Sequence, residues 1–207
     1  MKENIDYLKD LRDVKQLMEK SSKFISLSGL SGVMAGFYAL LCAGVVYFDI
    51  YETKSFGGET FRLLIDTPDN RFKMFLYGSI TLILAVGTGF YLTMQKAKKK
   101  NVKVFNKAAY QLFYSLLTPL FVGGIICLIM INRGEVLYIA PMTLVFYGLA
   151  LINASAYTFN DIKGLGYIQC LLGIVSAYFI GYGILFWGLG FGVCHIAYGM
   201  IMYRKYD

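Results

Sequence analysis

GLGYIQCLLGIVSAYFIGYGILFWGLGFGVCHIAYGMIMY, residues 164–203, contains no Asp, Glu, Lys or Arg. An α-helix rises 1.5 Å per residue, so a single helix over this stretch would be roughly 60 Å long, about twice the hydrocarbon thickness of a bilayer. The stretch therefore reads as two membrane spans, 164–180 and 184–203. Ile180-Gly181-Tyr182-Gly183 is the expected break, because glycines at this spacing end helices. Arg204 and Lys205 close the second run.

Working outward, the same reading gives four more uncharged apolar runs, at 24–48, 74–94, 112–131 and 136–157. The expected architecture is all-α, a polytopic transmembrane bundle of six spans over 24–207, preceded by a separate segment, 1–23. Composition agrees. The chain is 57% apolar and 16% charged, against about 45–50% and 25% in soluble domains. Span 3 contains Thr118-Pro119, where the missing backbone donor predicts a kink. Gly57-Gly58, Pro68-Asp69-Asn70, Asn132-Arg133-Gly134-Glu135 and Asn160-Asp161-Ile162-Lys163 read as turns. FRLLI, 61–65, reads as an interfacial segment of the one sizeable loop.

The opening residues are charged, so no secretory signal is expected and span 1 serves as an uncleaved anchor. Tyr7, Leu11, Val14 and Met18 form one apolar stripe at helical spacing. This predicts an amphipathic N-terminal helix that lies on the membrane or its own bundle, or binds a protein partner or a second copy. Lysines and arginines set orientation through their excess in cytoplasmic segments. With both termini inside, the inside segments hold 15 of them and the outside segments 5. The expected location is the cell inner (plasma) membrane, with N- and C-termini cytoplasmic. Six lysines between Lys96 and Lys107 make that loop a candidate contact for anionic lipid. The positive charge flanks spans, so it is read as topological and no nucleic-acid partner is expected.

Span 1 opens FISLSGLSGVMAGFYALL, with Gly29, Gly32 and Gly36 on a small-residue stripe. Such stripes let two backbones approach closely in lipid, which predicts helix packing through these three glycines and a central place for span 1. This opening resembles that of a family of bacterial polytopic membrane proteins with no known function, and the resemblance implies six spans and nothing about activity. Two echoes suggest a 3+3 inverted repeat, an architecture of secondary transporters. Phe37-Tyr38-Ala39-Leu40 matches Phe146-Tyr147-Gly148-Leu149, and 78–92 aligns without gaps to 166–180.

No Asp, Glu, Lys or Arg lies inside any predicted span, which argues against a carboxylate ion relay and against clustered metal ligands. Cys42, Cys127, Cys170 and Cys194 stand apart, each inside an apolar run, so neither a disulfide framework nor a zinc site is expected. No cofactor and no catalytic residue is expected, and the motifs of nucleotide binding and hydrolysis are missing. The candidate substrate-binding residues are Asn153, Gln169 and His195, either as hydrogen-bonded glue between helices or as the lining of a polar cavity. Ser26, Ser28, Ser31, Thr81, Thr88, Thr118, Ser155 and Ser176 are further interior polar candidates. Two function classes follow. One is a small transporter or permeation pathway for a neutral or weakly polar solute, which the sequence favours slightly. The other is a non-transporting scaffold, sensor or accessory subunit.

Overall fold

The computed structural model describes residues 28–51, 67–99 and 106–206. The amphipathic N-terminal helix, Ser26, the FRLLI segment and part of the lysine loop lie outside the described residues. Among those described the chain is an all-α bundle without strands. Helix α1 is Gly29–Val46, continued by a π-helical turn, Tyr47–Tyr51. Helix α2 is Pro68–Lys99, α3 Lys107–Arg133, α4 Ile139–Ala154 and α5 Asp161–Tyr178. The last span is a composite of α6, Gly183–Trp187, a π-helical stretch, Gly188–Cys194, and α7, His195–Tyr206. Five of these helical runs are long and apolar enough to cross a membrane, and α5 is not among the five.

The element ends follow from local chemistry. Thr67 caps α2, accepting from the Asn70 N–H at 3.2 Å, and Pro68 takes the first helical position, where no donor is needed. Pro68-Asp69-Asn70 is thus a helix start and not a turn, and α2 begins six residues before the expected 74. Likewise Asp161-Ile162-Lys163 is the first turn of α5, not a loop. Gly134 ends α3 in the left-handed region at φ 78°. Its N–H reaches the Ile131 carbonyl, and the Glu135 N–H reaches that of Met130, the paired bonds of a Schellman ending. The break after α5 falls where expected, with Gly181 at φ 103°. Helix α3 carries Pro119 without interruption.

Successive spans run up and down. Tyr47–Tyr51, the start of α2, the end of α3 and the α5–α6 turn share one end of the bundle. Asp49 there meets Lys73 at 3.4 Å and accepts from the Tyr77 hydroxyl at 2.9 Å, and Arg71 donates to the Ile131 carbonyl. The start of α1, the ends of α2 and α7 and the start of α5 share the other end, which we call the Asp161 end. Lys96 there lies 5.8 Å over the Phe159 ring.

Close packing is carried by glycine. Gly29, Gly32 and Gly36 face Tyr203, Gly199 and Gly192 of the last span. A Cβ on Gly36 would lie 2.6 Å from the Gly192 carbonyl oxygen, and one on Gly32 3.2 Å from the Gly199 Cα. A second seam joins α4 to α5, where a Cβ on Gly148 would lie 2.6 Å from the Gly166 carbonyl oxygen. The opposite face of α1 is open, with Phe37, Leu41, Val45 and Phe48 exposed, so α1 is not central as expected. Small residues occupy one side of it and bulky ones the other. Exposed Leu82, Ile83, Phe121, Leu171 and Ile174 continue this apolar exterior around the bundle, the surface a lipid-facing protein presents and a water-soluble one does not. Span 1 lies beside spans 2 and 6, and span 4 beside spans 5 and 3. Span 4 and span 5 also touch span 6, whereas neither span 1 nor span 2 packs on span 3, so the neighbour pattern does not reproduce a 3+3 duplication. The tight glycine seams differ as well, joining span 1 to span 6 but span 4 to span 5.

Candidate functional site at the π-helical stretch of the last span

Gly188-Leu189-Gly190-Phe191-Gly192 places three glycines at alternate positions in one helix. Each is about 1 kcal/mol less favourable in a helix than alanine. The ladder there widens into the π-helical stretch Gly188–Cys194. Such π-bulges occur frequently at functional sites. Two of the glycines face α1, across from Ala43 and Leu40, while Gly190 faces α4 and α5. A Cβ on Gly190 would lie 2.5 Å from Gln169 Oε1 and 2.6 Å from Leu144 Cδ2. Only glycine lets the Gln169 amide approach this backbone.

His195 follows the π stretch and is 6% exposed. Its Nδ1 lies 3.0 Å from the Gly190 carbonyl oxygen. A carbonyl only accepts, so Nδ1 carries the proton, and Nε2 is left to accept from the Tyr147 hydroxyl at 2.8 Å. Gln169 is fully buried and donates from Nε2 to the same Gly190 carbonyl at 2.8 Å. Its Nε2 also lies 3.3 Å from His195 Nδ1, but this sets donor beside donor and is not a bond. One carbonyl of the π-helical stretch is thus held by side chains from α5 and α7, and α4 supplies the tyrosine. The rings of Tyr147 and Phe191 lie 4.9 Å apart, Phe191 stacks on His195 at 5.8 Å, and Trp187 lies 5.0 Å from Phe191.

Three buried polar atoms have no hydrogen-bond partner among the described residues, namely Gln169 Oε1, Ser176 Oγ and Tyr198 Oη. An unpaired buried polar group costs about 1–3 kcal/mol, so these atoms mark where the interior is left unsatisfied. The other polar candidates are quiet. Thr81, Thr88 and Thr118 donate to the carbonyls of Tyr77, Leu84 and Tyr114, one turn back. Ser31 and Ser155 donate to those of Ser28 and Ile152.

Gln169 and His195 therefore come together, and Asn153 does not join them. Asn153 is exposed, in the last turn of α4. An amide in an apolar run reads as interior, but the rotation of α4 turns this one outward near the Asp161 end. The residues that sequence reasoning missed are Tyr147 and Gly190. The alternating glycines of GLGFG were the available signal for Gly190. Nothing local marked Tyr147.

The arrangement supports hydrogen bonding and proton exchange. Cys194 adjoins His195 in sequence, yet it packs on the Leu151, Ile162 and Leu165 cluster, so the pair has no nucleophile–base geometry. No group of three His, Cys, Asp or Glu side chains that could hold a metal comes together among the described residues. An open depression lies on the exposed outer face of α1, beside Leu41 and Phe48, and a small cavity of about 30 Å³ lies at the Tyr51 end. Gln169 and His195 line neither.

At the Asp161 end a clamp ties α5 to α7. Asp161 accepts from Lys205 Nζ at 2.8 Å and from the Tyr206 hydroxyl at 2.8 Å, while Tyr206 stacks on Phe159 at 4.0 Å. The hydrogen bonds from Lys205 and Tyr206 hold the Asp161 carboxyl below its usual range. A carboxylate favoured in the folded state adds stability that is present above its unfolded pKa and lost as pH falls through the folded one. Asp161→Asn should therefore cost no more than about 1 kcal/mol near neutral pH, as exposed pairs do. The difference from the unaltered chain should vanish in acid. Thermal unfolding in detergent from neutral pH downward measures both.

No protein-family model, curated protein or solved structure matches the chain.

Proposed function

We propose that the chain is a multi-pass inner-membrane protein that carries a small neutral or weakly polar solute, with the π-helical stretch of its last span as its working part. The observation that carries this reading is the π-helical stretch, whose Gly190 carbonyl is held by side chains while the neighbouring Gln169 Oε1 stays buried and unpaired. π-helical turns inside helices are frequent at functional sites, and an irregular helix whose carbonyl is held by polar side chains is the kind of element around which transporters build midplane sites. A second reading, a non-transporting scaffold, sensor or accessory subunit, is favoured by the dense packing around Gln169, Leu144 and Ser176, all under 2% exposed. In that reading the N-terminal segment 1–23 is the docking element for a protein partner or a second copy.

A thermal-shift screen of the purified protein against small metabolites tests the choice. A ligand that binds the folded state stabilises it by about 2.7 kcal/mol at a hundredfold excess over Kd. A shift with a soluble compound that disappears in Gln169→Leu supports transport or small-molecule sensing. Shifts with lipids alone support the scaffold reading, with Lys96–Lys107 the first place to look for an anionic headgroup.

The excess of lysine and arginine at the Asp161 end, against that at the Asp49 end, orients the bundle with this end in the cytoplasm. Lys96, Lys98, Lys99, Lys107, Lys163, Arg204 and Lys205 stand at the first, and Arg71, Lys73 and Arg133 at the second. A reporter that is active only in the periplasm should stay silent when fused after Asp207, and activity there would overturn the orientation.

A further inference from the structure

We propose that the chain is built as two three-span bodies hinged at the Asp49 end, and that the side-chain clasp at the Asp161 end is the gate through which water and solute reach Gln169 and His195. What the gate admits rests on the transport reading; that it opens does not. One body is α1, α2 and the last span, and the other is α3, α4 and α5. Inside each body helices meet backbone to backbone at glycine. Gly29, Gly36 and Gly199 join α1 to the last span, and Gly148, Gly166 and Gly173 join α4 to α5. Between the bodies the contacts change in kind along the bundle. At the Asp49 end they are close. A Cβ on Gly183 would lie 3.1 Å from that of Ala140, Val136 packs on Ile50, Tyr51 and Met74, and Arg71 donates to the Ile131 carbonyl. The α5–α6 turn links the bodies there, with Gly181 at φ 103°. Helices α4 and α5 pack on α6 and the π-helical stretch and not on α7.

Beyond His195 the bodies meet through long side chains. Tyr198 packs on the Leu151, Ile162 and Leu165 cluster. Tyr206 stacks on Phe159 at 4.0 Å, with Lys96 also over the Phe159 ring. Lys205 and Tyr206 both donate to Asp161. Rotamer changes release contacts of this kind, whereas a glycine seam parts only when whole helices move. Rotation about the Asp49 end therefore opens the Asp161 end while each body stays intact, the hinge motion of domains that close around ligands. The interior favours such an opening. Gln169 Oε1 and the Tyr198 hydroxyl are buried without partners where the bodies face each other, and an unpaired buried polar atom is destabilising. Water admitted from the Asp161 end pairs both, which offsets part of the cost of releasing the clasp.

The native cysteines report on the gate, because one faces the gap and three sit inside the bodies. Cys194 packs on Leu151, Ile162 and Leu165 across the gap. Cys42 faces Thr81 within the first body, and the Cys170 thiol is directed to the Val145 carbonyl within the second. Cys127 is buried in α3, one turn on from Gly123, which abuts Phe146 of α4. The full-length protein is reconstituted in liposomes, and a small charged methanethiosulfonate is supplied to both faces. The thiolate is the reacting form, so only thiols that reach water are modified. Peptide mass spectrometry reads the sites and rates. Cys194 should be modified slowly in the unaltered chain and about tenfold faster or more in Tyr206→Ala, as the open population rises. Cys42, Cys127 and Cys170 should not change. Protection of Cys194 in both proteins, or a rate that Tyr206→Ala leaves unchanged, overturns the gate. Equal acceleration at all four cysteines also overturns it, because the whole bundle has then loosened. If Tyr206→Ala does not fold, Asp161→Asn decides, with a faster rate at Cys194 alone expected and an unchanged rate overturning the gate. No solute is used, so a gate that opens while the metabolite screen stays flat removes the transport reading and leaves the hinge.

Discussion

Replacing Gly36 by leucine is expected to lower the unfolding midpoint in detergent sharply, while Gly44→Leu on the same helix leaves it nearly unchanged. A Cβ on Gly36 would sit 2.6 Å from the Gly192 carbonyl oxygen and 2.9 Å from the Ile196 nitrogen. Both are backbone atoms, so no rotamer change relieves the clash. The two helices must separate, and α1 then loses its contacts along the whole seam. Overpacking costs about 1–3 kcal/mol and occasionally more, and this site belongs at or above the upper end. Gly44 has nothing within 4 Å of its Cβ position, so leucine there projects into lipid. Gly32 is intermediate, at 3.2 Å from the Gly199 Cα. Gly32→Ala should be mild and Gly32→Leu severe. Equal midpoints for Gly36→Leu and Gly44→Leu would refute the seam.

Gly190→Ala is the second large effect expected. The added methyl meets Gln169 Oε1 and Leu144 Cδ2, and pushing the amide aside removes its bond to the Gly190 carbonyl. An overpacking cost of about 2–3 kcal/mol is expected. The clash is with a side chain, so it should depend on that side chain. In the double variant Gly190→Ala, Gln169→Ala, the combined loss should fall short of the sum by about 1 kcal/mol or more. Additive losses would mean that the alanine acts on the π-helical backbone and not on the network. Urea or thermal unfolding of the four proteins in one detergent gives the cycle.

The helices were legible because charge is so costly in hydrocarbon that its absence over 164–203 admits few readings, although only the second of the two runs there is long and apolar enough to cross a membrane. Their ends were less so. Pro68-Asp69-Asn70 and Asp161-Ile162-Lys163 are the polar first turns of α2 and α5, and polar turns of a helix look like loops in composition alone. The glycine stripe of α1 was readable as a close contact, but its partner was not, since Gly199 and Gly192 lie far off in sequence. At the candidate site, Gln169 and His195 stood out as rare polar groups in apolar runs. Asn153 stood out for the same reason and faces outward, because a helix's rotation is set by its neighbours. Tyr147 was one of 17 tyrosines, and only the fold brings its hydroxyl to the imidazole.

Helix α2 has a consequence of another kind. No residue of its most apolar window is buried, and it leans on the bundle mainly through α1. Its uncharged stretch, 74–95, spans about 33 Å at the helical rise, close to the hydrocarbon thickness of a typical membrane. Lys73 bounds it on one side and Lys96 on the other. A thinner bilayer would leave that stretch too long, and helices answer such mismatch by tilting. The glycine seams prevent that answer in α1, α4, α5 and α7, whose backbones are in contact. Helix α2, which no such seam ties to its neighbours, is therefore expected to tilt more readily than these four when the bilayer thins.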